Sequence, residues 1–194
     1  MSSSTRKGRL SGRHWIDAGL KRLSEEGVDG LRVDTLAPLL GTTKGSFYYH
    51  FKNRAEYLDA LIERWKAVSL ADVPPLAELG KAAALKRLRA AWRQRDDDTP
   101  NETLHRAAEG AVRQWARQDP EVMEALRDVD VARLQYYMAL FEDCGWSRND
   151  AHARAFLLLS SLVGVNALSP TLGLDLTERR TLEAGNILVC APEA

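Results

Sequence analysis

Lys44 and Tyr48 stand four residues apart, as do Gly45 and Tyr49, within the stretch TTKGSFYYHF that runs from Thr42 to Phe51. Four-residue spacing puts each pair on one face of a helix. That face carries an ammonium and aromatic hydroxyls, the groups that hydrogen-bond to base edges and phosphate oxygens. Ser46 adds a hydroxyl that both donates and accepts, and Gly45 lets another backbone come close. N–H groups near Thr43 suit an anionic phosphate at the helix start. His50, Lys52 and Arg54 follow, placed to hold a flanking phosphate backbone. On the opposite face Phe47 and Phe51, one turn apart, are expected to pack onto Leu36 and Leu40 and fix the helix.

The elements that must position this face are helical. Ile16, Leu20 and Leu23 form an i, i+4, i+7 stripe that stops at Gly27. Val33, Leu36, Ala37 and Leu40 form a second, shorter stripe ending at Gly41, so two short helices flank a glycine turn in helix-turn-helix proportions. Asn53 with Glu56 three residues on has capping-box spacing and starts a fourth helix through Tyr57, Leu58, Leu61, Ile62 and Trp65. After Val73-Pro74-Pro75 the pattern predicts long amphipathic helices over 76–95, 102–118, 120–144, 147–168 and 176–189. Residues 96–100 read as a loop, and Asp119-Pro120 as a cap followed by proline at the first helical position. No alternating β-branched run suggests a sheet.

The run Leu36-Ala37-x-x-Leu40-Gly41-x-Thr43-Lys44-Gly45-Ser46-Phe47-Tyr48-Tyr49-His50-Phe51-Lys52-Asn53-Arg54, followed by Leu58-x-x-Leu61, resembles the DNA-binding signature of the TetR family of transcriptional regulators. The resemblance extends back through Trp15-Ile16-Asp17-Ala18 and Glu26-Gly27 and covers roughly the first 65 residues. It implies that the third helix enters the major groove of double-stranded DNA, with Lys44, Gly45, Ser46, Tyr48, Tyr49 and His50 facing the duplex. It also implies a phosphate-binding role for Arg54, homodimers on a palindromic operator, and release by a small-molecule effector in the C-terminal domain. Two departures from the family pattern stand out: Leu31-Arg32 where a Ser or Thr cap is usual, and Pro38 inside helix two.

The implied fold is all-α, with an N-terminal three-helix helix-turn-helix DNA-binding domain and a larger helical ligand-binding and dimerisation domain. The expected divisions are a basic flexible arm over 1–13, the DNA-binding domain over 14–56 and the effector-binding and dimerisation domain over 57–194. Charge agrees with a polyanion partner for the first part only. Residues 1–54 hold 10 Lys+Arg against 5 Asp+Glu, and the remainder 17 against 22, so a net charge of zero conceals +5 followed by −5.

In the C-terminal part, Trp92, His105, Glu109, Trp115, Tyr136, Tyr137 and Phe141 are the candidate effector contacts, suited to an apolar or aromatic molecule. The stretch over 155–168 (AFLLLSSLVGVNAL) carries Ser160, Ser161 and Gly164 among leucines, which suits close helix packing, either in an intramolecular core or, as the family resemblance implies, in a dimer interface. A helical protein–protein adaptor is the alternative, and a small helical enzyme a more distant one. The four histidines lie in separate helices, and no Gly-rich phosphate loop or nucleophile elbow is present. No catalytic residue, metal site or cofactor is therefore expected. His105 and Glu109, four apart, read as a surface pair, and Cys144 as a structural thiol. Two distant cysteines, a polar N-terminus and the lack of an ~18-residue apolar run favour a cytoplasmic setting without a membrane partner.

Overall fold

A computed structural model of the chain describes residues 10–71, 73–75, 79–92, 100–172 and 187. The helix expected over 176–189 lies outside these residues, Ile187 excepted. The described residues are helical, without a strand: α1 (Gly12–Glu26), α2 (Val33–Leu39), α3 (Lys44–His50), α4 (Arg54–Ala71), α5 (Lys81–Trp92), α6 (Pro100–Trp115), α7 (Pro120–Asp143) and α8 (Arg148–Leu172). A single 3₁₀ turn, Val28–Gly30, leads from α1 toward α2.

The chain forms two compact units, residues 1–68 with 100–125, and residues 69–99 with 126–194. In the first, Trp15, Leu20, Leu23, Leu36, Phe47, Tyr57, Leu61 and Trp65 are buried, and α6 packs on α1. Tyr57, Leu61 and Trp65 lie on α4, so the division expected between residues 56 and 57 falls just ahead of side chains that fill this core. On α1 Leu20 and Leu23 are buried as expected, but Trp15 takes the place expected of Ile16. Trp15 is fully buried while Ile16 is only half-buried, because the indole fits against Phe47 with ring centroids 5.3 Å apart.

Each turn around α2 and α3 has an identifiable cause. Gly41, at φ 60°, takes the left-handed conformation that ends α2, with Thr42 N–H reaching the Ala37 carbonyl and Gly41 N–H the Pro38 carbonyl. At the start of α2, Arg32 provides no side-chain cap. Thr35 Oγ1 instead donates to the Arg32 and Gly30 carbonyls at 2.8 and 3.0 Å, bracing the turn that a Ser or Thr cap would otherwise shape. The Asn53 carboxamide accepts from Glu56 N–H at 2.9 Å, the first half of the capping box its spacing predicts, while Glu56 accepts from Lys52 N–H at 2.8 Å, one residue ahead of the cap.

The second unit buries Ala84, Leu88, Leu140, Phe141, Cys144, Ala151, Ala155 and Leu158 together. Burial pushes the Cys144 thiol up from its ordinary range, as a structural cysteine requires. Helix α5 begins at Lys81, five residues later than expected, directly after Gly80 with its φ of 70°. Helix α6 begins at Pro100, a residue assigned to the loop from sequence. Proline suits a helical first turn, where its missing N–H has no partner to lose. Asp119 caps α7 through Glu121 N–H at 3.1 Å and Val122 N–H at 3.4 Å.

Candidate nucleic-acid interface

Helix α3 has one buried side and one open side. Phe47 is fully buried and Phe51 nearly so; each packs on Tyr57, with centroids 5.3 and 5.1 Å apart. The anchor thus includes Trp15 and Tyr57. Tyr57 is itself held: its hydroxyl donates to the Trp15 carbonyl at 3.0 Å, and burial raises its pKa far above the ordinary tyrosine value.

On the open side Thr43, Lys44, Gly45, Tyr48 and Tyr49 are exposed and Ser46 is half-buried. Tyr48 and Tyr49 are 58% and 67% accessible, too much for core aromatics. Tyr48 leans edge-on against Phe47, which orients its ring without covering it. A Cβ built on Gly45 would meet only Thr43 Oγ1, at 3.6 Å, an ordinary contact. Among the described residues, therefore, no neighbour demands glycine there, and the space above it is open.

The cations around this face are placed less simply than spacing suggests. The Lys44 ammonium forms an ion pair with the Asp34 carboxylate of α2, and that hydrogen bond, with the Asp34 charge, raises the lysine pKa. His50 Nε2 donates to the Leu10 carbonyl at 2.9 Å, tying the end of α3 to the segment that enters α1. Arg54 is exposed, yet its Nε donates to the Leu31 carbonyl at 3.0 Å and its Nη2 to the Val28 carbonyl at 3.3 Å. Lys52 is exposed. None of these three tethers is visible in helical spacing, because each crosses a turn or a whole helix.

The candidate effector residues divide between the two units. On α6, His105 and Glu109 are buried, at 3% and 8% accessibility, which corrects the surface pair read from their spacing. The cause is the face of α6 turned inward: Trp65 Nε1 donates to the His105 carbonyl at 3.2 Å, and Glu109 accepts from Arg113 Nη2 at 2.8 Å. Trp115 donates to Asp119 at 3.1 Å. On α7, the Tyr136 hydroxyl accepts from Arg87 at 3.1 Å, the Tyr136 and Tyr137 rings lie 5.8 Å apart, and Phe141 sits in the core of the second unit. The Trp92 side chain lies outside the described residues. No group of three or more His, Cys, Asp or Glu able to hold a metal occurs among the described residues, and no helix there is long and apolar enough to cross a membrane.

Along α8, Ala151, Ala155 and Leu158 face the core while Phe156 and Leu157 are 58% and 52% accessible. Ser160 and Gly164 follow Phe156 at intervals of four, and Ser161 follows Leu157, its hydroxyl donating back to the Leu157 carbonyl at 2.7 Å. Beyond its chain neighbours and the backbone of its own helix, none of the described residues lies within 4 Å of a Cβ built on Gly164. The two exposed apolar residues were overlooked in sequence, although their spacing from Ser160 and Ser161 places them on the same face.

Residues 16–61 match the family model described as bacterial regulatory proteins, tetR family. The tetracycline repressor protein class A from transposon 1721 of Escherichia coli is 35% identical over 85 residues, covering 40% of this chain and 39% of the repressor. The class D tetracycline repressor of Escherichia coli is 45% identical over 53 residues, covering 27% of this chain and 24% of its own. The match thus spans about two-fifths or less of these relatives' length. Among solved structures, a transcriptional regulator from Rhodococcus sp. Rha1 aligns with a TM-score of 0.71 over 93% of this chain and 94% of its own, at 21% identity. That likeness shows a shared helical fold.

Proposed function

Residues 16–61 belong to the tetR family of bacterial regulatory proteins, and from that premise we propose that the whole chain is a sequence-specific, DNA-binding transcriptional regulator. It acts as a repressor, a homodimer on a palindromic operator, released when an apolar or aromatic small molecule binds within residues 57–194. The names of the tetracycline repressors it resembles support both repression and a small-molecule signal. Residues 14–56 form the reading domain, residues 1–13 a basic arm, and the cytoplasm is the setting.

The observation that supports this most is the two-sidedness of α3. Phe47 and Phe51 anchor one side, while Lys44, Gly45, Ser46, Tyr48 and Tyr49 present hydrogen-bonding groups on the other, with Thr43, His50, Lys52 and Arg54 beside them. An adaptor that binds only protein has no use for that set. Dimerisation through α8 accounts for Phe156 and Leu157 lying exposed beside Ser160, Ser161 and Gly164.

Selection of bound sequences from a random duplex pool tests the class. The expected result is an enriched, two-fold-symmetric motif with the wild-type chain and weaker enrichment with Tyr48→Ala. A pool that shows no enrichment over competitor DNA overturns the reading.

A further inference from the structure

We infer that Asp34 is a specificity-determining residue of the reading surface: by occupying Lys44 it withholds that cation from sequence-independent binding to phosphate. The inference rests on the DNA-binding reading and deepens it. Within α2 and α3 Asp34 is the sole carboxylate and Lys44 the sole lysine or arginine, so their charges cancel on the two helices of the helix-turn-helix. The pair bridges the turn between those helices, and both side chains are open to solvent, at 69% for Asp34 and 63% for Lys44. It is therefore not a buried structural bridge. Exposed pairs of this kind contribute little to folding. Lys44 lies one turn before Tyr48 on the open face. The carboxylate thus stands among the groups proposed to meet the duplex.

Its effect differs between wrong and right sequences. Affinity for arbitrary DNA comes almost wholly from neutralised phosphates and the counterions they release. A lysine held by a carboxylate adds nothing to that total. At the operator, contacts to base edges add to the phosphate contribution, so opening the pair is compensated. Once released, the carboxylate accepts only, and a cytosine or adenine amino group in the major groove is the partner that satisfies it. A sequence without such a donor leaves an anion facing phosphates.

Asp34→Asn keeps the shape and removes the charge. Each phosphate neutralised steepens the dependence of log K on log salt by about 0.9, so freeing Lys44 raises affinity for arbitrary duplex about eightfold at 0.1 M salt. Binding of wild-type, Asp34→Asn, Lys44→Ala and the double variant to a random-sequence duplex and to the selected operator, from 0.05 to 0.3 M salt, reads this directly. The expected result is a steeper slope and tighter arbitrary binding for Asp34→Asn, a lower operator-to-arbitrary ratio, and loss of the gain in the double variant. An Asp34→Asn chain with unchanged slope, or one that binds all DNA more weakly, overturns the inference while the DNA-binding reading stands. A wild-type chain that binds no duplex even at 0.05 M salt overturns both.

Discussion

The Tyr57 hydroxyl donates to the backbone carbonyl of Trp15, 42 positions away in sequence, and passes directly over Gly19 to reach it. A Cβ at Gly19 would lie 1.9 Å from that oxygen and 2.7 Å from Leu61 Cδ1, closer than atoms can approach. Gly19 is thus fixed by α4 packing on α1, although alanine is intrinsically the better helix former. Gly19→Ala is expected to lower stability by roughly 1–3 kcal/mol, the usual range for overpacking, against the ~1 kcal/mol that helix propensity would add. Tyr57→Phe, which removes the oxygen, costs about 0.5–1.5 kcal/mol alone. It should also restore part of the Gly19→Ala loss, since Leu61 still crowds the site. Urea melts of the two single variants and the double variant check the cycle.

Tyr57 also gives the fold an alkaline limit. Burial raises its folded pKa above the ordinary value of 10.0, with Arg54 opposing only in part. At high pH the native state therefore holds a proton that the unfolded chain releases. Stability from this group is fully present below about pH 10 and falls as pH rises above it. Wild-type stability should decline between about pH 9.5 and 11 more steeply than that of Tyr57→Phe. Parallel urea melts across that range would show a constant difference if the group titrated normally.

Neighbouring aromatics on α3 should part company. Phe47 is fully buried, and Phe47→Ala is expected to cost about 3–5 kcal/mol of stability. Tyr48→Ala removes an exposed ring and should leave the melting temperature near wild type while weakening operator binding by about 1–3 kcal/mol. Thermal melts with gel-shift titrations on both variants separate the two roles. Unfolding of Tyr48→Ala would move that ring into the core.

Gly164→Arg tests the proposed dimer face. The protomer has room for a side chain there, so circular dichroism should be unchanged. A cation buried against a partner without a counter-charge is strongly unfavourable. Sedimentation should therefore report a monomer, and operator affinity should fall although every residue facing DNA is intact. A monomer that still binds the full operator tightly contradicts the two-fold arrangement.

The helices were legible wherever apolar residues recur at helical spacing, as at Leu20 and Leu23 or Leu36 and Ala37. The turns were legible wherever one residue type dictates the geometry, as at Gly41 and at Asn53 with Glu56. The exposed side of α3 was legible because Phe47 and Phe51 define the buried one. What spacing within one helix cannot reveal is contact between helices. Trp15 rather than Ile16 faces Phe47, His105 and Glu109 are buried by α6 turning inward, and Arg54 reaches back to the carbonyls of Val28 and Leu31. The Asp34–Lys44 pair belongs to the same class, since its partners lie on different helices.

Gly45 stands apart from these constrained positions. Because only Thr43 Oγ1 would touch a Cβ there, at an ordinary contact distance, the fold has room for alanine at residue 45. Exchanging glycine for alanine in a helix would even add up to about 1 kcal/mol of stability. Most changes to a binding surface must first survive the destabilisation they bring. For alanine at residue 45 that filter is absent, so on the proposed reading surface a changed contact can arise there in a single step, without a stabilising change beforehand.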